Sequence, residues 1–222
     1  MNNIIFISSV FVKKLLNIFN THDKLFIYKR KFALKGGQAM YYTMAQKANK
    51  LLLKYNIINF PINTEIIEYI IENEGLEIEF TDSIKNAVII DNAIYMNKPD
   101  NMRDYRSFIV HEYGHFTYQC GNIEYLPNKN KYEMEAQAFA AYFLMPIGIF
   151  EKHLELEEND YELSQDFGVT LELVKFRKNL TKALIDSGEY NLLVYSLYFR
   201  KDDLKNIIIN NNTDEEIYKR II

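Results

Sequence analysis

The spacing of apolar positions changes period several times along this chain, and each change marks an element. From Tyr42 to Tyr55 the positions Ala45, Ala48, Leu52 and Tyr55 recur at helical intervals, until Pro61 interrupts the pattern. A second helix is predicted from about Asn63 or Thr64, with Thr64 as N-cap, through Ile66, Ile67, Ile70 and Ile71 to a stop near Gly75. The period then falls to two. Leu76, Ile78 and Phe80 alternate with Glu77 and Glu79, as on a strand with one buried face. Ala87 to Ile90 and Ala93 to Asn97 flank Asp91-Asn92, a pair suited to a two-residue hairpin turn. A small antiparallel sheet is expected from these three runs.

Helical spacing resumes after Pro99, with Asp100 or Asn101 as cap. Phe108, His111, His115 and Tyr118 fall on one face of a helix that Gly121 should end. A polar loop containing Pro127 leads to another helix near Lys131, which carries Glu133, Glu135, Ala136, Phe139, Ala140 and Phe143 and stops at Met145-Pro146. Gly148 to Leu156 suggests a short helix. Leu163 to Leu180 reads as two helices around Gly168-Val169-Thr170, with Thr170 capping the second, which is the outline of a helix-turn-helix. A run rich in Leu, Val and Tyr from Tyr190 to Phe199 predicts a strand, and the Asn-rich tail after Ile209 should fray.

The beginning of the chain stands apart. Ile4 to Val12 is an apolar run too short for a bilayer, which needs about 20 such residues. Lysines follow the run instead of preceding it and no small-residue cleavage site is evident, so the pattern does not fit a secretory signal. Residues 4–19 could lie on a membrane surface as an amphipathic helix, but no other membrane contact is expected. The preferred reading makes Gly36-Gly37 a break and residues 1–39 a basic arm or upstream extension.

Composition narrows the function classes. Charged residues at 25% and hydrophobic ones at 48% are ordinary for a globular protein. The formal charge is −4, yet residues 1–39 carry seven Lys or Arg against one Asp, which leaves −10 on residues 40–222. An acidic body argues against nucleic acid as a partner. In the candidate recognition helix only Lys175, Arg177 and Lys178 are basic, so packing is preferred to DNA binding there. The single cysteine, Cys120, excludes an internal disulfide and fits a reducing, cytoplasmic setting. Oligomeric state is not legible.

The chemistry lies in His111-Glu112-Tyr113-Gly114-His115, the pattern H-E-x-x-H. Histidines four apart on a helix share a face, so both imidazoles can reach one ion, and Glu112 is placed to work on water beside it. A catalytic zinc site takes a third protein ligand. His22, in the basic arm, and His153, beside an acidic turn, both read as solvated. An extended H-E-x-x-H-x-x-G-x-x-H motif is absent, because Tyr118 and Gly121 occupy its last two fixed positions. Glu133 and Glu135 therefore compete. Glu133 is favoured because it shares a face with Ala136, Gln137 and Ala140, the small side that can approach the histidine helix. Glu135 would then make a salt bridge or support the ligands, and Gln137 could orient a ligand imidazole. A substrate could pair along Ile94, Tyr95, Met96 and Asn97, taken as an edge strand. Tyr113, Tyr118 and Tyr142 are possible stabilisers of an oxyanion.

H-E-Y-G-H followed by E-M-E-A-Q-A-F-A-A-Y-F-L-M-P resembles the ImmA/IrrE family of zinc metallopeptidases, a gluzincin-type group. The similarity runs from about Ala45 to Leu180. It departs from the family at Gln137, where Asn or Asp is more usual, and in the basic arm, which has no counterpart. The resemblance implies Zn2+ held by His111, His115 and Glu133, with Glu112 as catalytic acid and base. It also implies a helix-turn-helix repressor of a mobile element or phage as the protein substrate. The contrasting class is a partner-binding protein of a repressor-control or toxin–antitoxin pair, with a structural zinc. The expected fold is α+β and mostly helical, with the small sheet beside the H-E-x-x-H helix. A zincin-like core should occupy residues 40–150, and a helical, helix-turn-helix-like region residues 151–222.

Overall fold

The structure is a computed structural model that describes residues 36–84, 87–118, 129–156 and 158–186, together with Tyr190, Leu193 and Leu197. In chain order the elements are α1 (Gly36–Lys54), α2 (Thr64–Asn73), β1 (Glu77–Phe80), β2 (Val88–Ile90), β3 (Ala93–Met96), α3 (Met102–Tyr118), α4 (Lys129–Leu144), α5 (Phe150–Glu155), α6 (Asp160–Phe167) and α7 (Leu171–Asp186). The basic arm through residue 35, His22, Cys120, Gly121 and the Asn-rich tail lie outside the described residues.

The mostly helical fold is organised around α4. Every residue from Ala138 to Leu144 is buried, and a helix that is apolar on all sides must be enclosed on all sides. α1, α3 and α7 provide that enclosure. Four alanines, Ala136, Ala138, Ala140 and Ala141, let these neighbours approach closely. One hydrophobic cluster continues from Met44 and Leu52 on α1 through Ile109 and Val110 on α3 to Leu173, Val174 and Leu184 on α7.

The sheet differs from expectation in topology. β2 and β3 form the predicted antiparallel hairpin, with Asp91 in the left-handed conformation at φ 53°. β1, however, pairs parallel to β3, so the strand order is β1-β3-β2 and the sheet is mixed. The chain between β1 and β2 skips one strand position, a gap of about 10 Å, and β3 returns into it. Ile78 and Ile89 flank Ile94 on the inner face, whereas Glu77, Glu79, Val88 and Ile90 lie on the outer one.

Helix ends show three smaller corrections. α1 begins at Gly36, so Gly36-Gly37 is its first turn and not a break; glycine costs less there, where the amides need no intrahelical partner. Asn63, not Thr64, is the N-cap residue of α2, and it makes no side-chain capping bond. Tyr190, Leu193 and Leu197 are helical, although an apolar run there suggests a strand.

The α6–α7 pair follows its predicted signals closely. Asn159 and Glu162 form a reciprocal capping box, Gly168 ends α6 in the left-handed conformation, and Thr170 Oγ1 accepts a bond from Leu173 N at 3.2 Å. α7 then turns inward. Arg177 is fully buried between the rings of Tyr142 and Phe150, at 4.7 and 4.5 Å, and donates to Glu151 at 2.9 Å and to the Met145 carbonyl at 2.9 Å. A guanidinium spent inside the protein is not available to a DNA backbone.

Candidate metal centre

The histidine helix α3 is anchored at both its start and its middle. Asn101 Oδ1 accepts from Asp104 N at 2.9 Å and caps the first turn. Arg106, buried five residues before His111, donates to the carbonyls of Gly168 at 2.9 Å and Phe167 at 3.2 Å, and to that of Ile62. Burial lowers its pKa, but three carbonyl acceptors suit a guanidinium that stays charged. Arg106 thus fixes α3 against the segment before α2 and the turn after α6. Sequence reasoning missed it, and the available signal was slight: one arginine within the run Tyr105 to Val110.

Gly114 sets the distance to the next helix. A Cβ there would lie 3.2 Å from the Ala136 Cα and 3.2 Å from Phe139 Cδ1, so α3 and α4 approach backbone to backbone. That approach brings Glu133, one turn before Ala136 and Gln137 on α4, up to both histidines. His111 Nε2 and His115 Nε2 are 3.0 Å apart, and Glu133 Oε2 lies 3.4 Å from the first and 3.6 Å from the second. Three donors within one ion's reach are two imidazole nitrogens and a carboxylate oxygen, a set that fits zinc with a position left for water. His115 is buried, whereas Glu133 is about 43% exposed, so the site opens on the glutamate side.

The electrostatics follow from the same arrangement. A hydrogen bond from His111 holds the Glu133 carboxyl below the usual range, against its own partial burial. Glu112, half-buried beside the donors, is pushed the other way, up to about 7, chiefly by burial and further by the Glu133 charge, with His111 opposing. Glu135 lies outside this donor group: it faces Lys131 at 3.8 Å and lies within electrostatic reach of Lys47 on α1. Gln137 is half-buried on the Glu133 face of α4.

Other residues singled out by the sequence lie elsewhere. Tyr113 is buried against Phe139 with Glu74 and Tyr55 as its charged and polar surroundings, and Tyr142 lies against Arg177. Neither faces the histidines; the Tyr118 side chain is outside the described residues. Ile94 and Met96 are buried core, and β1 and β2 occupy both edges of β3, so Ile94, Tyr95 and Met96 do not form an edge strand. Exposed Asn97 lies just past the strand. His153 is not simply solvated, since Glu158 and Asp166 bracket it.

Residues 78–179, which carry the whole donor set, match the peptidase M78 family, described as an IrrE N-terminal-like domain. Over those residues the chain is similar to the M78 family. The match begins in β1 rather than near Ala45, so α1 and α2 lie outside it, and it ends within α7. No curated protein and no solved structure matched the chain. The family it resembles is a peptidase family, and the His and Glu donors of this chain could hold a metal. No helix among the described residues is long and apolar enough to cross a membrane.

Proposed function

We propose that this chain is a zinc-dependent endopeptidase that cleaves a helix-turn-helix repressor of a mobile element or phage and so relieves repression. The observation that carries the reading is the convergence of His111, His115 and Glu133 with Glu112 beside them, close to the donors but outside the ligand set. A purely structural zinc needs no such neighbour. The repressor as substrate rests on the resemblance to the ImmA/IrrE family, and a cytoplasmic location on the lone cysteine.

His111 and His115 would hold the ion through Nε2 and Glu133 through a carboxylate oxygen. Bound there, zinc would supply Lewis acidity to polarise a peptide carbonyl and lower the pKa of water toward about 7. Glu112 is left to move protons. Its carboxylate takes one from the attacking water and returns it to the departing amine nitrogen. Because β3 is central, the substrate would pair instead with the open edge of β2, which lies against α3.

The test is to mix the purified chain with the small helix-turn-helix protein encoded beside it and follow cleavage, with zinc measured in parallel. Glu112→Gln should keep its zinc and lose cleavage by a factor of roughly 10²–10⁴. Cleavage at the parent rate by that variant would leave only the partner-binding reading, with a structural zinc.

A further inference from the structure

A second group of metal-type donors shares no residue with the first, and it does not depend on the peptidase reading. His153 in the last turn of α5, Glu158 in the connection to α6 and Asp166 in the last turn of α6 offer donor atoms within 4.8 Å of one another. His153 Nδ1 is 2.9 Å from both carboxylate oxygens of Glu158 and 3.5 Å from Asp166 Oδ2. These separations match those among His111, His115 and Glu133. They are also what donors about 2.1 Å from one ion require, roughly 3.0–3.4 Å apart.

Charge supplies an independent argument. Two carboxylates meet one imidazole, and Asp166 stands at the negative end of α6, where no basic residue occupies the last turn. Among the described residues no Lys or Arg pairs with Glu158 or Asp166. Lys178 is taken by Asp160 at 2.6 Å and Arg177 by Glu151 at 2.9 Å. A protonated His153 would offset only half of the carboxylate charge, whereas a divalent cation offsets it fully. The ring is held for this by Phe167, edge-on at 4.9 Å. Asp166 is about 47% exposed, which leaves room for water to complete the coordination.

We propose that His153, Glu158 and Asp166 form a second divalent-cation site that fastens α5 to α6. One imidazole with two carboxylates and open positions suits Mn2+ or Zn2+. The ion would replace the proton on Nδ1, so metal and proton compete for a single atom.

The experiment uses the full chain with the first site disabled by His111→Ala and His115→Ala together, so that the second is read alone. Mn2+ binding is followed by loss of the free-ion EPR signal, and Zn2+ by equilibrium dialysis. The expected result is one bound ion per chain and a rise in Tm with added metal. Adding Asp166→Asn, an exposed change that spares the fold, should weaken binding at least 10-fold, and adding His153→Ala should abolish it. The proposal is overturned if the chain with the first site disabled binds no ion, if Asp166→Asn and His153→Ala leave binding unchanged, or if the His153 imidazole titrates identically with and without metal. That last outcome would mean a protonated histidine clamp only.

Discussion

Two residues of the H-E-Y-G-H segment carry constraints that the motif alone does not state. An added methyl at Gly114 would meet the Ala136 backbone and the buried Phe139 ring, both at 3.2 Å, so it crowds the α3–α4 contact against backbone as well as side chain. Gly114→Ala should cost about 1–3 kcal/mol by overpacking and draw Glu133 away from the histidines. Zinc affinity, measured by competition with a chromophoric chelator, should fall by roughly 10-fold or more while helix content by circular dichroism is kept. Glu112 is constrained by burial. A carboxyl raised to about 7 in the fold favours the folded state while protonated, and that contribution is lost as pH rises from the ordinary carboxylate range through about 7. In the metal-stripped chain, Glu112→Gln should therefore unfold like the parent at pH 4. At pH 8 it should be more stable by about 1–3 kcal/mol, as read from urea midpoints. Equal midpoints at pH 8 would show that burial does not disfavour the Glu112 charge. The histidines were legible because a spacing of four on a helix has one geometric meaning. The small-residue face of α4 pointed to Glu133, which the fold brings beside the histidines, but Arg106 gave no periodic signal to read.

Among the elements, the histidine helix α3 depends on more than its packing. Arg106 supplies donors to three carbonyls on two separate segments, Ile62 before α2 and Phe167 and Gly168 at the end of α6. Arg106→Met keeps much of the buried stem but orphans those acceptors, and should destabilise by about 2–4 kcal/mol. Thermal unfolding measures this, and an unchanged Tm would show that water satisfies the carbonyls instead. The element types were largely readable from period, with α2, the β2–β3 hairpin, the caps of α3 and α7 and the glycine stop of α6 all signalled locally. Sheet order was not, because β1 pairs with β3 through a crossover, and alternation within a strand says nothing about which neighbour it meets. The apolar run at Tyr190 to Leu197 failed for another reason: short apolar stretches fit a buried helix as well as a strand.

At the scale of the whole molecule, α7 belongs to the core around α4, and the buried Arg177 turns what looks like a recognition helix into a structural one. The mixed sheet has a wider consequence. Its β1 edge carries Glu77 and Glu79, charges of the kind that discourage strand-to-strand sticking, whereas Val88, Ile89 and Ile90 at the β2 edge carry none. An edge left uncharged for a peptide is equally open to another copy of the same protein. Concentrated samples should therefore self-associate through β2, seen as a rise in light scattering. Val88→Lys, at a position already 36% exposed, should suppress that scattering and slow cleavage together. Colloidal behaviour and turnover would then be two readings of one exposed row of backbone amides.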